Sequence, residues 1–166
     1  MENDQLAMKV SHAPKDYQCP FCLLRDGIVN EHTLSRQSDI VYQTDRVIAF
    51  VASHQWQNNH PNILVIPTEH YENLYELPAD YGNDIQKAMQ LVALALKSVY
   101  NCDGVSTRQH NEPAGYQDVW HYHMHVTPRF KNDQLYAKMR WLKKFMPEDE
   151  RQVYADALQS EIAKHL

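Results

Sequence analysis

The apolar and polar positions change period several times along the chain, and each change marks an element. Ile40-Val41-Tyr42 and the run VIAFV at 47–51 are apolar and rich in branched residues, with Thr44-Asp45-Arg46 between them. Two such runs around a polar turn read as a hairpin. Residues 52–61 read as a polar loop containing Trp56. NILVI at 62–66 is a third strand, apolar enough to be central, and Pro67 stops it. A short helical turn is expected over 73–77. Between 84 and 99, Ile85, Ala88, Met89, Val92, Leu96 and Val99 recur at steps of three and four. That is an amphipathic helix packed on a sheet, with Asp80 or Asn83 placed to cap it. Asp103-Gly104 is a turn, 105–108 a fourth strand and 119–127 a fifth, closed by Pro128. Residues 131–145 read as helical. Pro147 suits the first turn of a last helix, with Glu148, Asp149 and Glu150 at its positive end and Lys164 and His165 at its negative end. The apolar stripe of that helix is Val153, Tyr154, Ala157, Leu158 and Ile162. Strands, a helix, strands and then helices predict an α+β domain. Its sheet is mainly antiparallel, of about five strands, with helices on one side.

The fifth strand carries the chemistry. His121, His123 and His125 alternate with Tyr122, Met124 and Val126. A period of two sets the histidines in a row on one face and the other three toward a core. Adjacent imidazoles can grip a metal, or one can react while its neighbours serve it. Upstream lies Cys19-Pro20-Phe21-Cys22. Half of a zinc site, a redox pair and two unrelated thiols all fit that spacing. A redox pair expects a preceding strand, whereas a polar segment precedes this one. With no second Cys-x-x-Cys, the remaining zinc ligands would come from the ten histidines. Cys102 stands alone and reads as a small buried residue.

Composition narrows the function classes. At 166 residues the chain is one domain, and 43% hydrophobic residues exclude disorder by composition. A net charge of -5 argues against nucleic acid as the main ligand. A phosphate ligand would then need local donors. Four glycines leave little room for a Gly-rich phosphate loop. No run reaches the roughly eighteen apolar residues of a spanning helix. The amino-terminal residues lack an apolar signal core, and three cysteines cannot all pair, so a reducing cytoplasm is the expected setting. The basic cluster at 138–144 reads as a solvated helix face.

His121-x-His-x-His-x-x-Pro-Arg129 resembles the signature of the histidine triad (HIT) superfamily of nucleotide hydrolases and transferases. The resemblance covers 17–130 and includes four features in order: Cys19-Pro-Phe-Cys22, Ala49-Phe50, Leu64-Val-Ile-Pro-x-x-His70, and Ala114-Gly115 with Gln117 and Val119. It implies a HIT-like domain over 17–130; the polar residues 1–16 read as a flexible arm, and 131–166, outside the resemblance, as a helical extension packed on the same domain. It implies His123 as nucleophile toward an α-phosphate, with its other ring nitrogen donating to the His121 carbonyl. His125 would bond the phosphate or leaving group, and Gln117 and Asn111 would supply neutral donors. The substrates would be nucleoside phosphoramidates or dinucleoside polyphosphates. It also implies a structural Zn2+ on Cys19, Cys22, His70 and His121, and a homodimer.

Some positions depart from the family pattern. Tyr116 is inserted before Gln117, and Asp118 stands where relatives often carry Ser or Thr near the phosphate. Pro61-Asn62 replaces Gly-His, and Ser53 and His54 occupy the region of a nucleoside-contacting acidic residue. These departures motivate an alternative, a nucleotide-binding or protein-interaction module with little activity. A third reading, all three histidines on a catalytic zinc, is chemically sound but competes with the better closed site that the cysteines offer.

Overall fold

The structure is a computed structural model that describes residues 10–166. A five-stranded antiparallel sheet organises it. In chain order its strands are β1 (Ile40–Gln43), β2 (Val47–Val51), β4 (Ile63–Pro67), β5 (Gly104–Gln109) and β6 (Met124–Arg129), arranged β1-β2-β4-β6-β5. Every residue of β2 and β4 is buried. This is why their sequences are continuous apolar runs rather than alternating ones.

The two faces of the sheet are covered differently. On one, Val47, Ala49, Val51, Ile63, Val65 and Val126 pack against α2 (Tyr81–Tyr100) and α4 (Glu148–Ile162). Helix α2 contributes Ile85, Ala88, Val92, Ala95 and Leu96. Asp80 precedes it but makes no side-chain cap; its carboxylate pairs with Arg46 at 2.9 Å instead. On the other face Ile48, Phe50, Leu64 and Ile66 meet the short helix α1 (Pro20–Arg25) through Phe21 and Leu24. Helices therefore lie on both faces, not on one as the element order suggested. The six-residue α1 is too short to show a helical period.

Three other expectations are corrected. First, residues 131–145 are not one helix. Helix α3 (Leu135–Leu142) ends where the Gln57 amide takes the Leu142 carbonyl at 2.9 Å. The chain then runs on as β7 (Lys143–Phe145), antiparallel to β3 (His54–Trp56), which lies in the stretch read as a loop. Second, the buried face of α4 is Arg151, Ala155, Leu158 and Ile162, and Val153 is exposed. Arg151 fixes that rotation by pairing with the buried Asp39 at 2.8 Å. Third, the triad stretch is a strand only from Met124. The Tyr122 amide bonds the Tyr71 carbonyl at 2.6 Å, outside the ladder, so His121 to His123 precede β6.

Of the expected arm, residues 1–9 lie outside the described residues. Residues 10–16 touch the body: the Ser11 hydroxyl donates to Glu72 at 2.6 Å, and the His12 ring lies 5.7 Å from Trp120. Among the described residues, no helix is long and apolar enough to cross a membrane.

Candidate active site and metal centre

The polar side chains that alternate with the core residues of β6 gather on the α1 face. Tyr122 and Val126 are in the core beneath α2, with Met124 packed against it. His121 and His123 are buried on the opposite side, where the Phe21 ring meets both edge-on, its centre 5.7 Å from one ring centre and 5.5 Å from the other. Alternation of faces thus survives through the irregular segment before the strand.

His121 faces the Cys-x-x-Cys turn. Its Nδ1 lies 3.3 Å from Cys19 Sγ and 3.7 Å from Cys22 Sγ, and His70 Nδ1 lies 3.4 Å from Cys22 Sγ. The four donor atoms fall within 4.8 Å of one another. A tetrahedral zinc spaces sulfur and nitrogen ligands by about 3.5 Å, so the donor set and its spacing both fit that ion. His121 Nε2 donates to the Pro67 carbonyl at 3.1 Å. This leaves the Nδ1 lone pair toward the sulfurs, the usual way a ligand imidazole is oriented from behind. The Cys22 thiol is pulled down by a hydrogen bond from Cys19, with His121 and His70 adding to it. A thiolate is what a metal requires.

His123 is oriented by backbone. Its Nδ1 lies 2.8 Å from the His121 carbonyl, which can only accept, so Nδ1 carries the proton and Nε2 keeps a bare lone pair. Burial holds the imidazole below its ordinary pKa, partly opposed by the His121 carbonyl and Asp118. The neutral form is therefore favoured. His123 and His125, with ring centres 5.2 Å apart, line a cavity of about 300 Å³ walled by Phe21, Leu34, Leu64 and His54.

His125 is oriented by a side-chain relay. The Thr127 hydroxyl donates to Asn62 Oδ1 at 2.9 Å, which turns the Asn62 amide nitrogen to His125 Nδ1 at 3.3 Å. His125 Nδ1 then accepts, and Nε2–H is left as a donor. Burial, His123 and Arg108 push this imidazole well below its ordinary pKa, so it stays neutral. Orienting His125 is what Asn62 does here.

Gln117 and Asn111 are placed differently from the expectation. Gln117 Nε2 donates to the Glu72 carbonyl at 2.6 Å and the Val119 carbonyl at 3.0 Å, and its Oε1 accepts from the Glu112 amide. Asn111 bonds the Leu74 amide and the Gln109 side chain. Both side chains hold the loop before the triad, and their donors are taken by protein acceptors. The inserted Tyr116 sits in that loop at a positive φ of 70°.

Four residues at the site were not singled out as site residues from the sequence. His54 and Trp56 reach it from β3, and Lys143 reaches it from β7. Lys143 pairs with Asp118 at 2.9 Å. Crowding by the surrounding protein raises the exposed Asp118 carboxyl, but Lys143 more than offsets this and holds it below the usual carboxylate range. His110 is the fourth. Its Nδ1 donates to the Gly115 carbonyl at 2.6 Å, and its ring lies 5.8 Å from His125. His110 and His54 had usable signals, one in its place in the loop preceding the triad and the other in the region of the family's nucleoside contact.

A twisted antiparallel sheet with paired, oriented imidazoles over a cavity and a Cys2His2 cluster behind them defines a recognisable class. The HIT-domain profile matches residues 33–132, and the chain belongs to the HIT family. It is 32% identical over 112 residues to Protein hit of Bacillus subtilis, covering 68% of this chain and 71% of that one. It is 30% identical over 112 residues to the bis(5'-adenosyl)-triphosphatase of Dictyostelium discoideum, covering 64% and 73%. A zinc-bound histidine triad family protein from Mycobacterium smegmatis superposes with a TM-score of 0.70 at 21% identity, over 89% of this chain and 95% of that one. These relationships place the chain in a family of nucleotide hydrolases and transferases.

Proposed function

We propose that the protein cleaves nucleoside phosphoramidates or dinucleoside polyphosphates at the α-phosphate through a nucleotidyl-histidine at His123. One observation carries this reading. The His123 Nδ1–H bond to the His121 carbonyl leaves the Nε2 lone pair at a cavity of nucleoside size. Nε2 attacks the α-phosphorus as the bond to the leaving group breaks and that group departs with the electron pair. Water then attacks the same phosphorus and releases a proton, and the P–N pair returns to Nε2. Two displacements replace one difficult step.

His125 Nε2–H faces the same cavity and donates to an oxygen that gains charge in either step. Cys19, Cys22, His70 and His121 would hold a structural zinc, a closed site with no position for a metal-bound water. The ion would brace the segment whose carbonyl orients His123. Gln117 and Asn111 position the preceding loop. A homodimer in a cytoplasmic setting completes the reading that the family suggests.

The test is product analysis with adenosine phosphoramidate and diadenosine triphosphate. Wild-type protein should release AMP, and His123→Ala should lose at least about a thousandfold, as loss of a covalent nucleophile does. Unchanged AMP release in the variant would sink the assignment. Nucleotide binding without any product would favour the binding-module alternative.

A further inference from the structure

The nucleoside cavity accounts for one side of the triad only. A larger groove, of about 670 Å³, adjoins that cavity beyond His125. Trp56, Asp118, His125 and Lys143 line both spaces and so mark the boundary between them. The rest of the larger groove is walled by His110 and Trp120 and by a ring of exposed aromatics, Tyr116, Tyr136 and Trp141. Tyr136 and Trp141 belong to α3, which lies beyond the HIT-domain match.

The groove is also cationic. Arg140 lies on its wall beside Tyr116, 5.9 Å from the ring centre, and Lys143 stands at the boundary. Behind the wall, Arg108 stacks on Trp56 at 4.9 Å and on Tyr136 at 5.5 Å. Its Nε and one Nη are buried with no hydrogen-bond partner among the described residues. Among the described residues Asp118 is the one carboxylate lining the groove, and Lys143 already pairs with it.

We infer that α3 and β7 build a leaving-group subsite for a second nucleotide. This rests on the proposed attack by His123. In an in-line displacement the leaving group departs opposite the attacking Nε2, so it needs a space beside the nucleoside cavity, and this groove adjoins that cavity along His125 and Lys143. Flat exposed aromatics suit a base, which stacks without sequence-like selectivity. The cations suit the phosphates that link it to the reacting centre. An amine leaving group would use neither feature. The volume ratio points the same way, since the groove is more than large enough for a nucleoside with its phosphates.

The test is the ratio of kcat/KM for diadenosine triphosphate to kcat/KM for adenosine phosphoramidate. Both substrates share the transferred adenylyl group and differ in what leaves. Trp141→Ala should lower that ratio about tenfold, the scale of one lost base–aromatic stack. Trp141→Phe should restore most of it. Val153→Ala, exposed on α4, should leave the ratio as in wild type. Because Trp141 is 76% exposed, its removal does not threaten folding. A ratio unchanged in Trp141→Ala overturns the subsite while the nucleotidyl-histidine reading stands. If wild type releases AMP from neither substrate, that reading falls and takes the subsite with it.

Discussion

The two faces of the central sheet are built by opposite means. Beneath α2 and α4 the interior is mostly apolar, although it also takes in the buried Arg151–Asp39 pair. On the α1 face, apolar contact stops at Phe21 and Leu64, and beyond them the interior is polar. There His121, His123, Asn62 and Thr127 are buried yet hydrogen-bonded to defined partners. Close packing tolerates exchange of one apolar residue for another of similar volume. A buried polar network does not, because removing one member leaves another without a partner. The first face therefore supplies stability, and the second supplies orientation.

A paired substitution separates the two most strongly. Leu96→Ala removes a fully buried side chain of α2 and should cost about 2–5 kcal/mol of stability, as such cavities do. Below its unfolding temperature the variant should keep wild-type turnover and metal content. Cys22→Ser should also lower the melting temperature, since metal binding and folding are linked. It should in addition abolish zinc measured by mass spectrometry and reduce AMP release, because the His121 carbonyl loses its brace. Equal metal content in the two variants would remove the distinction between the faces.

Asn62→Ala gives a smaller effect confined to the polar face. It frees His125 Nδ1 and the Thr127 hydroxyl from their shared partner. A buried group left unpaired costs about 1–3 kcal/mol. His125 could then carry its proton on either nitrogen, and kcat should fall about 10- to 100-fold, the scale of a lost transition-state donor. Loss of stability without loss of kcat would show that the relay is merely structural.

The difference between the faces also explains what could be read from the sequence. Apolar runs at β2 and β4 and the three-to-four spacing of α2 are local signals, and those elements lie where expected. The Cys-x-x-Cys pair and the triad histidines were legible because their residue types are rare and their spacing is regular. Residues whose role depends on a distant partner were not. Arg151 is buried by Asp39, 112 residues away, and nothing around it in sequence says so. β3 and β7 have three residues each, and all of β7 is exposed, so no alternation marks them. Lys143 read as one cation in a basic run, but strand pairing with Trp56 carries it to the mouth of the triad. The stretch at 121–123 had the period of a strand without the ladder. Alternation reports which way side chains face, and Tyr122 took its backbone partner from Tyr71 instead.

The smallest predicted effect concerns Asp118, the departure that most favoured an inactive module. An unpaired carboxylate beside His123 would repel an incoming phosphate. In the structure that charge is countered by Lys143, from a strand outside the HIT-domain match. The pair is exposed, with side-chain accessibilities of 42% for Lys143 and 59% for Asp118. Such pairs contribute only about 0–1 kcal/mol to stability, so Asp118→Asn should leave the melting temperature nearly unchanged. Its effect should fall on substrate instead. Removing the carboxylate releases Lys143 to the phosphates, and KM for diadenosine triphosphate should fall about threefold at low salt, an advantage that screening erodes as ionic strength rises. Lys143→Met leaves Asp118 uncountered and should raise KM by a similar factor, with the same salt dependence. If both substitutions move KM in one direction, the two charges do not act as an opposed pair at the substrate. Opposite movements would show that the extension compensates within the site for the Asp118 carboxylate.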